Sequence, residues 1–267
     1  MVFVTADRDP LDDYRALTDP ERRRALERRG GYFVVEGPLA VEALLASPYP
    51  VRSVLVDERR AARVAALVGG RAPLLVRPRA EVAAIAGFDF HRGVLAAADR
   101  LPLPEVDEVV RGARLLLVVE GVGDHENLGA LFRNAAAFGV DGVLLDPATP
   151  DPLYRRSVRV SLGHVLRVPW TRLTPWPAGL GMLRVRGFSV LALTPDPAAE
   201  PIDRVVDPAA GPPERVAVLV GAEGPGLTAA AMDAADRRVR IRIATAVDSL
   251  NVATAAAVAL HRLAAVP

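Results

Sequence analysis

The 267-residue chain is 51% hydrophobic and carries 33 basic against 32 acidic residues, a formal charge of +1. That length and apolar content can bury one large core or two modest ones, while the near-neutral balance by itself selects no partner. With no cysteine at all, disulfide frameworks, thiolate zinc sites and cysteine nucleophiles drop out together, and no metal is expected. Met1 to Pro10 already contains Asp7, Arg8 and Asp9 rather than the apolar run of a leader. No later uncharged stretch reaches the roughly 18 residues of a membrane span. A cytoplasmic protein with no membrane partner is the expectation.

Every basic residue is arginine, and Arg22, Arg23, Arg24, Arg28 and Arg29 crowd one segment with only Glu21 and Glu27 to offset them. On a helix they would form either a solvated surface or a phosphate-binding patch. From Tyr32 to Ala98 short β-rich runs alternate with helical stretches. The strands are expected at Tyr32 to Val35, Val51 to Val56, Pro73 to Val76 and Gly93 to Ala97, and the helices at Pro38 to Ala46, Glu58 to Val68 and Arg79 to Ala86. This is a small α/β unit. Arg100 to Asp107 then breaks both periodicities with two prolines and acidic residues, which marks a linker and a domain boundary.

The second half starts afresh with the apolar strand Leu115 to Val119. Further strands are expected at Val140 to Leu145, Phe188 to Leu193, Val216 to Val220 and Val239 to Ile243. Helices fit Leu128 to Phe138, Leu180 to Arg186, Thr228 to Asp236 and Leu250 to Ala265, and Pro195 to Pro213 reads as an irregular excursion. Runs such as LLLVVE and VAVLVG lack a polar face, the signature of parallel strands buried on both sides.

Three segments place glycine or small polar residues at strand ends or helix starts, where an α/β sheet forms its ligand crevice. In EGVGDHENLGALFRNAAAFG, Glu120 to Gly139, Asn127 opens a helix and Arg133 follows six residues later, able to approach a cleft from the same broad side. In LVGAEGPGL, Leu219 to Leu227, three glycines surround Glu223 and allow close backbone approach to a ligand; the spacing is neither a Walker loop nor a dinucleotide fingerprint. In IRIATAVDSLNVATAAA, Ile241 to Ala257, Ser249 and Asn251 stand at the start of an alanine-rich helix that other backbone can approach closely. Taken singly, Asn127, Ser249 and Asn251 fit ordinary helix caps, Arg133 a surface arginine and Glu223 a solvated loop carboxylate.

Together and in this order, the segments resemble the SpoU family of RNA ribose 2′-O-methyltransferases, within the trefoil-knotted methyltransferase superfamily. Asn127, Gly129, Arg133, Ala135, Phe138 and Gly139 match the first motif; Gly221, Glu223, Gly224 and Gly226 match the Gly-x-Glu-Gly-x-Gly loop; Ser249 to Val252 supply the final Ser-Leu-Asn-Val. Ser161 to Pro169, Phe88 to Ala96 and Tyr32 to Ala46 extend the similarity over nearly the whole chain beyond Asp12. Two departures stand out: Ile241 to Thr245 lacks the usual proline and glycine, and Asn134 replaces a threonine.

The resemblance implies an α/β protein in two parts. Residues 1–104 would be a small RNA substrate-binding domain similar to ribosomal L30-type proteins, and 105–267 a knotted methyltransferase domain with a parallel sheet. S-adenosylmethionine would be the cofactor, held by Gly221, Ile241 and Leu250 with Gly224 and Leu219. Arg133, Asn127, Glu223, Ser249 and Asn251 would form the catalytic group, and Arg22, Arg23, Arg24 and Arg28 would contact RNA. Dimers are the family rule, with the cleft completed by the second subunit. Ribosomal RNA, most specifically 23S, is favoured over transfer RNA. Of the histidines His91, His125, His164 and His261 none matches a family catalytic position, and only His125 lies near Asn127. The alternatives are a non-catalytic RNA-binding protein that retains the fold, a methyltransferase acting on transfer RNA, and a small-molecule enzyme on a doubly wound sheet.

Overall fold

The computed structural model describes residues 9–88, 93–206, 213–244 and 246–264. In chain order its elements are α1 (Pro20–Gly30), β1 (Tyr32–Glu36), α2 (Pro38–Leu45), β2 (Val51–Asp57), α3 (Ala61–Val68), β3 (Leu74–Arg77), α4 (Arg79–Ala86) and β4 (Val94–Asp99). There follow α5 (Val106–Val110), β5 (Leu115–Val119), α6 (His125–Ala137), β6 (Gly142–Leu145), α7 (Arg155–Val160), β7 (Trp170–Arg172), α8 (Leu180–Val185), β8 (Ser189–Leu193) and β9 (Glu200–Pro201). Last come β10 (Val216–Val220), α9 (Ala229–Ala234), β11 (Arg237–Arg240) and α10 (Val252–Leu263). The chain divides into two compact units, Met1–Leu101 with Leu153–Arg167, and Pro102–Pro152 with Val168–Pro267. The first break falls within the proline-rich linker. The return of Leu153–Arg167 to the first unit was not anticipated, since α7 is short and its partners are set by tertiary packing against β1.

The first unit carries a four-stranded sheet in the order β1-β4-β2-β3, with β4 antiparallel to both β1 and β2 and β3 parallel to β2. Alternate strand residues Tyr32, Val34, Leu55, Leu95 and Ala97 meet Tyr14 and Val82 in one buried cluster. Helix α1 begins where the Asp19 carboxylate accepts from Arg22 N at 3.0 Å, with Pro20 in its first turn, and ends at Gly31 with φ of 63°.

One turn apart on α1, Arg23 and Glu27 face inward, and this corrects an expectation. Arg23 is only 2% exposed; its Nε donates to Glu27 Oε1 at 2.7 Å and its Nη1 to the carbonyl of Asp13 at 2.7 Å. A buried guanidinium persists only when paired in this way, so Arg23 is a structural cation and does not face RNA. Arg22, Arg24 and Arg28 are exposed.

In the second unit seven strands form one sheet in the order β7-β6-β5-β10-β8-β11-β9, and every neighbouring pair is parallel. The unbroken apolar runs have the reason expected of them: β5 and β10 are buried at every position. Leu116, Val118, Leu144, Val190, Ala217 and Leu219 build the core with Leu180 and Leu183 of α8 and Ala231 of α9. Strand β11 ends at Arg240 rather than at Ile243. Its last rung on β8 is Val239 opposite Leu193, where β8 itself ends, so Ile241 to Ala244 leave the ladder and are free to line a cleft. Thr245 of that segment, and residues 89–92 of the expected Phe88 to Ala96 segment, including His91, lie outside the described residues.

Candidate active site

Three polar segments that follow the parallel strands β5, β10 and β11 converge beyond the carboxyl ends of the sheet. After β5, Asp124 caps α6 by accepting from Glu126 N at 2.8 Å, which places Asn127 in the first helical turn. After β10 the chain turns back on itself: Gly226 N donates to the carbonyl of Ala222 at 3.0 Å, and Gly224 and Gly226 adopt φ of 85° and 71°. Gly221 sits so close under this loop that a Cβ would overlap the backbone of Gly226 and Leu227. The third segment ends at Asn251, whose Oδ1 caps α10 by accepting from Ala253 N at 3.0 Å and Thr254 N at 3.2 Å.

The capping oxygen leaves the other half of that amide free to reach outward. Asn251 Nδ2 donates to Asn127 Oδ1 at 2.8 Å and to Glu223 Oε1 at 2.6 Å, so a single side chain joins all three segments. A second tie lies deeper, where Asn134 Nδ2 on α6 donates to the carbonyl of Ala253 on α10 at 2.7 Å. Asn134 thus fastens together the two helices that carry the polar cluster.

Beside the cluster opens a cleft of about 330 Å³, within the size range of small-molecule sites. Gly221, Gly224, Ile241 and Leu250 line it, together with Glu223, Ser249 and Asn251. Leu219 does not: it is wholly buried within β10, packed into the core below, because only the end of the strand reaches the crevice. Leu193, Thr194 and Pro195 at the end of β8, and Ile243, complete the wall without having been singled out from the sequence. The position of Leu193 at the carboxyl end of a parallel strand was the one available signal.

Arg133 is exposed on α6 and is neither in the cleft lining nor in an ion pair or hydrogen bond among the described residues. His125 forms the first residue of α6 outside the lining, and His261 packs on Phe138 with ring centroids 5.8 Å apart. Glu120, buried just after β5, braces the glycine loop, a role its place in the sequence does not signal. Its carboxylate accepts from Trp176 Nε1 at 2.7 Å, Thr228 N at 2.8 Å and Thr228 Oγ1 at 2.8 Å, fixing the exit of the glycine loop. A carboxylate at the end of an apolar strand must find such donors. The Asp203 carboxyl is held below its ordinary range chiefly by a hydrogen bond from Arg242, and Arg262 stands 3.8 Å away, so this exposed group tethers the Ile241 to Ile243 stretch.

Among the described residues no group of three or more His, Asp or Glu side chains is placed to hold a metal, and no helix is long and apolar enough to cross a membrane. Known proteins give this geometry its context. An uncharacterized tRNA/rRNA methyltransferase of Mycobacterium tuberculosis is 48% identical over 255 residues, covering 95% of this chain and 88% of that protein. The 23S rRNA (guanosine-2′-O-)-methyltransferase RlmB of Ralstonia nicotianae is 36% identical over 180 residues, 66% of this chain and 70% of that one. Among solved structures, an rRNA methyltransferase from Sinorhizobium meliloti with AdoMet bound superimposes with a TM-score of 0.75 at 26% identity, covering 95% of this chain and 93% of its own. The profile of the SpoU rRNA Methylase family matches residues 114–261, which include the whole polar cluster and the cleft beside it. The chain belongs to the SpoU rRNA Methylase family.

Proposed function

We propose that this protein methylates a ribose 2′-oxygen of structured RNA with S-adenosylmethionine as donor, and that 23S ribosomal RNA is its substrate. The observation that carries the reading is the Asn251 amide, which joins Asn127 and Glu223 at the rim of the cleft. The cleft fits the donor: Leu193, Ile241, Ile243 and Leu250 offer apolar walls for a purine, and Gly221 presents backbone where no Cβ fits. The ribosomal target is supported by the 23S-specific relative, and the trefoil knot, the L30-like first unit and the homodimer are parts of the same reading.

When bound, the donor supplies an electrophilic methyl group for in-line displacement. The chain's own task is then alignment, which contributes several kcal/mol to such transfers. Asn127, Glu223, Ser249 and Asn251 would orient the ribose through hydrogen bonds. A guanidinium is a poor general base, so Arg133 acts by holding a phosphate and stabilising the developing alkoxide while water or a neighbouring group takes the proton. Its exposed position outside the single-chain cleft supports a site completed by a second subunit.

The test combines calorimetry with S-adenosylmethionine and 2′-O-methyl mapping of 23S RNA from a strain lacking the protein, before and after treatment with enzyme and donor. One ribose should gain a methyl group on treatment. Donor binding without methylation of any RNA would refute the reaction, and absence of binding at millimolar donor would favour a non-catalytic RNA-binding protein.

A further inference from the structure

The first unit holds a second and larger cavity, about 840 Å³, at the edge of its sheet where β1 and β2 end and β4 begins. Its lining brings Arg59, Arg60, Arg63 and Arg159 together against only two carboxylates, Glu36 and Glu42. Glu36 is 4% exposed and already committed, since its Oε2 binds Arg155 Nη1 and lies 3.6 Å from Arg159 Nη1. The floor is therefore cationic on balance. Arg59 and Arg63 stand exposed at the rim with no ion pair among the described residues. Arg60 crosses over Gly93, where a Cβ would fall on its guanidinium, so the glycine makes room for the charge. The same lining carries apolar side chains: Leu39, which is 57% exposed, and Leu67.

Guanidinium groups grip phosphate in fork geometry and stack on bases, and an exposed apolar wall takes the face of an unstacked base. We propose that this cavity binds one splayed nucleotide of the RNA substrate, with Arg59 and Arg63 on its phosphate and the base against Leu39. The proposal rests on the RNA-methylation reading, and it moves the grip of the first unit away from α1, whose exposed arginines Arg22, Arg24 and Arg28 line neither of the two cavities. Arg59 and Arg63 are both exposed, so a phosphate within a longer strand can reach them, which favours RNA over a free phosphate compound.

The test uses the full-length Arg59→Ala/Arg63→Ala variant and protein-free 23S RNA. Both side chains are exposed, so the thermal midpoint and the affinity for S-adenosylmethionine should match wild type. RNA affinity should fall about tenfold and the slope of log K against log salt should become shallower by about one, since both arginines serve a single phosphate. KM for RNA should rise with kcat largely retained. Unchanged RNA affinity and slope, with the loss appearing instead in an Arg22→Ala/Arg24→Ala variant, would overturn the site. Titration with inorganic phosphate and guanosine monophosphate provides the second arm: their loss in the Arg59/Arg63 variant without any change in RNA binding would assign the cavity to a free ligand and equally refute the proposal. A wild-type protein that binds and methylates RNA while the variant behaves identically defeats only this site; a wild type that binds no RNA defeats the functional reading as well.

Discussion

Asn251 and Glu223 meet at 2.6 Å, amide nitrogen to carboxylate oxygen, across 28 residues of chain. The two ends of the Asn251 amide do different work: the oxygen caps α10 and the nitrogen holds Glu223 and Asn127. Asn251→Asp preserves the cap, because a carboxylate accepts from Ala253 N equally well, but it removes both donors and sets a negative charge against Glu223. Stability should stay within about 1 kcal/mol of wild type while methyl transfer falls about 100-fold, the scale of one lost site hydrogen bond. Asn251→Ala should lose both cap and activity. Denaturant unfolding alongside single-turnover transfer separates the two, and an active Asn251→Asp enzyme would remove the bridge from the mechanism.

Arg133 is exposed and forms no ion pair or hydrogen bond among the described residues, so its replacement should leave folding and donor affinity intact. For Arg133→Ala we expect transfer to drop by about three orders of magnitude, as for loss of a group that meets charge only in the transition state. If the residue serves the cleft of a second subunit, mixing Arg133→Ala with Asn251→Asp protein should restore part of the activity through mixed dimers. Near-wild-type turnover of Arg133→Ala would exclude it from the chemistry.

How far the sequence could be read follows from the kind of burial each residue has. Strands β5 and β10 were located to the residue because burial on both faces demands an uninterrupted apolar run. Asn127, Glu223 and Asn251 were found through motif order, since each alone is an ordinary cap or loop residue. Leu219 was misjudged as a cleft residue because distance along a strand does not reveal where the crevice begins. The inward turn of Arg23 was hidden within a run of arginines, although its four-residue spacing from Glu27 carried the signal of a helical pair. For Leu193 to Pro195 the strand end is the one local signal, because the adjacency of β8 and β10 is a property of sheet order and not of local sequence.

Gly221 offers a test of the cleft independent of the polar cluster. A methyl group there overlaps the backbone of Gly226 and Leu227, so Gly221→Ala must open the loop. Overpacking of this kind costs about 1–3 kcal/mol, and because the loop forms a wall of the cleft, affinity for S-adenosylmethionine should weaken by at least about tenfold, equivalent to some 1.4 kcal/mol. Calorimetry measures this directly. Wild-type affinity in a folded Gly221→Ala protein would mean that the donor does not lie against this loop.

The first unit can be probed through Tyr14, whose hydroxyl is wholly buried, donates to the carbonyl of Ser53 at 2.8 Å and accepts from Ala97 N at 3.2 Å. Burial pushes its pKa above the ordinary tyrosine value, an effect that its hydrogen bonds to Ser53 and Ala97 only partly offset. In the unfolded chain the phenol ionises near pH 10, whereas the folded protein keeps its proton to higher pH. The folded state then binds more protons than the unfolded one, so the stabilisation is full below about pH 10 and declines as pH rises from there toward the folded pKa, by up to about 1.4 kcal/mol per pH unit. Tyr14→Phe removes that alkaline slope. It also leaves Ala97 N–H without its partner and should therefore be less stable at pH 8 by about 1–3 kcal/mol. The stability curves of wild type and variant should accordingly converge above pH 10, and curves that stay parallel in urea titrations would show that Tyr14 ionises alike in both states.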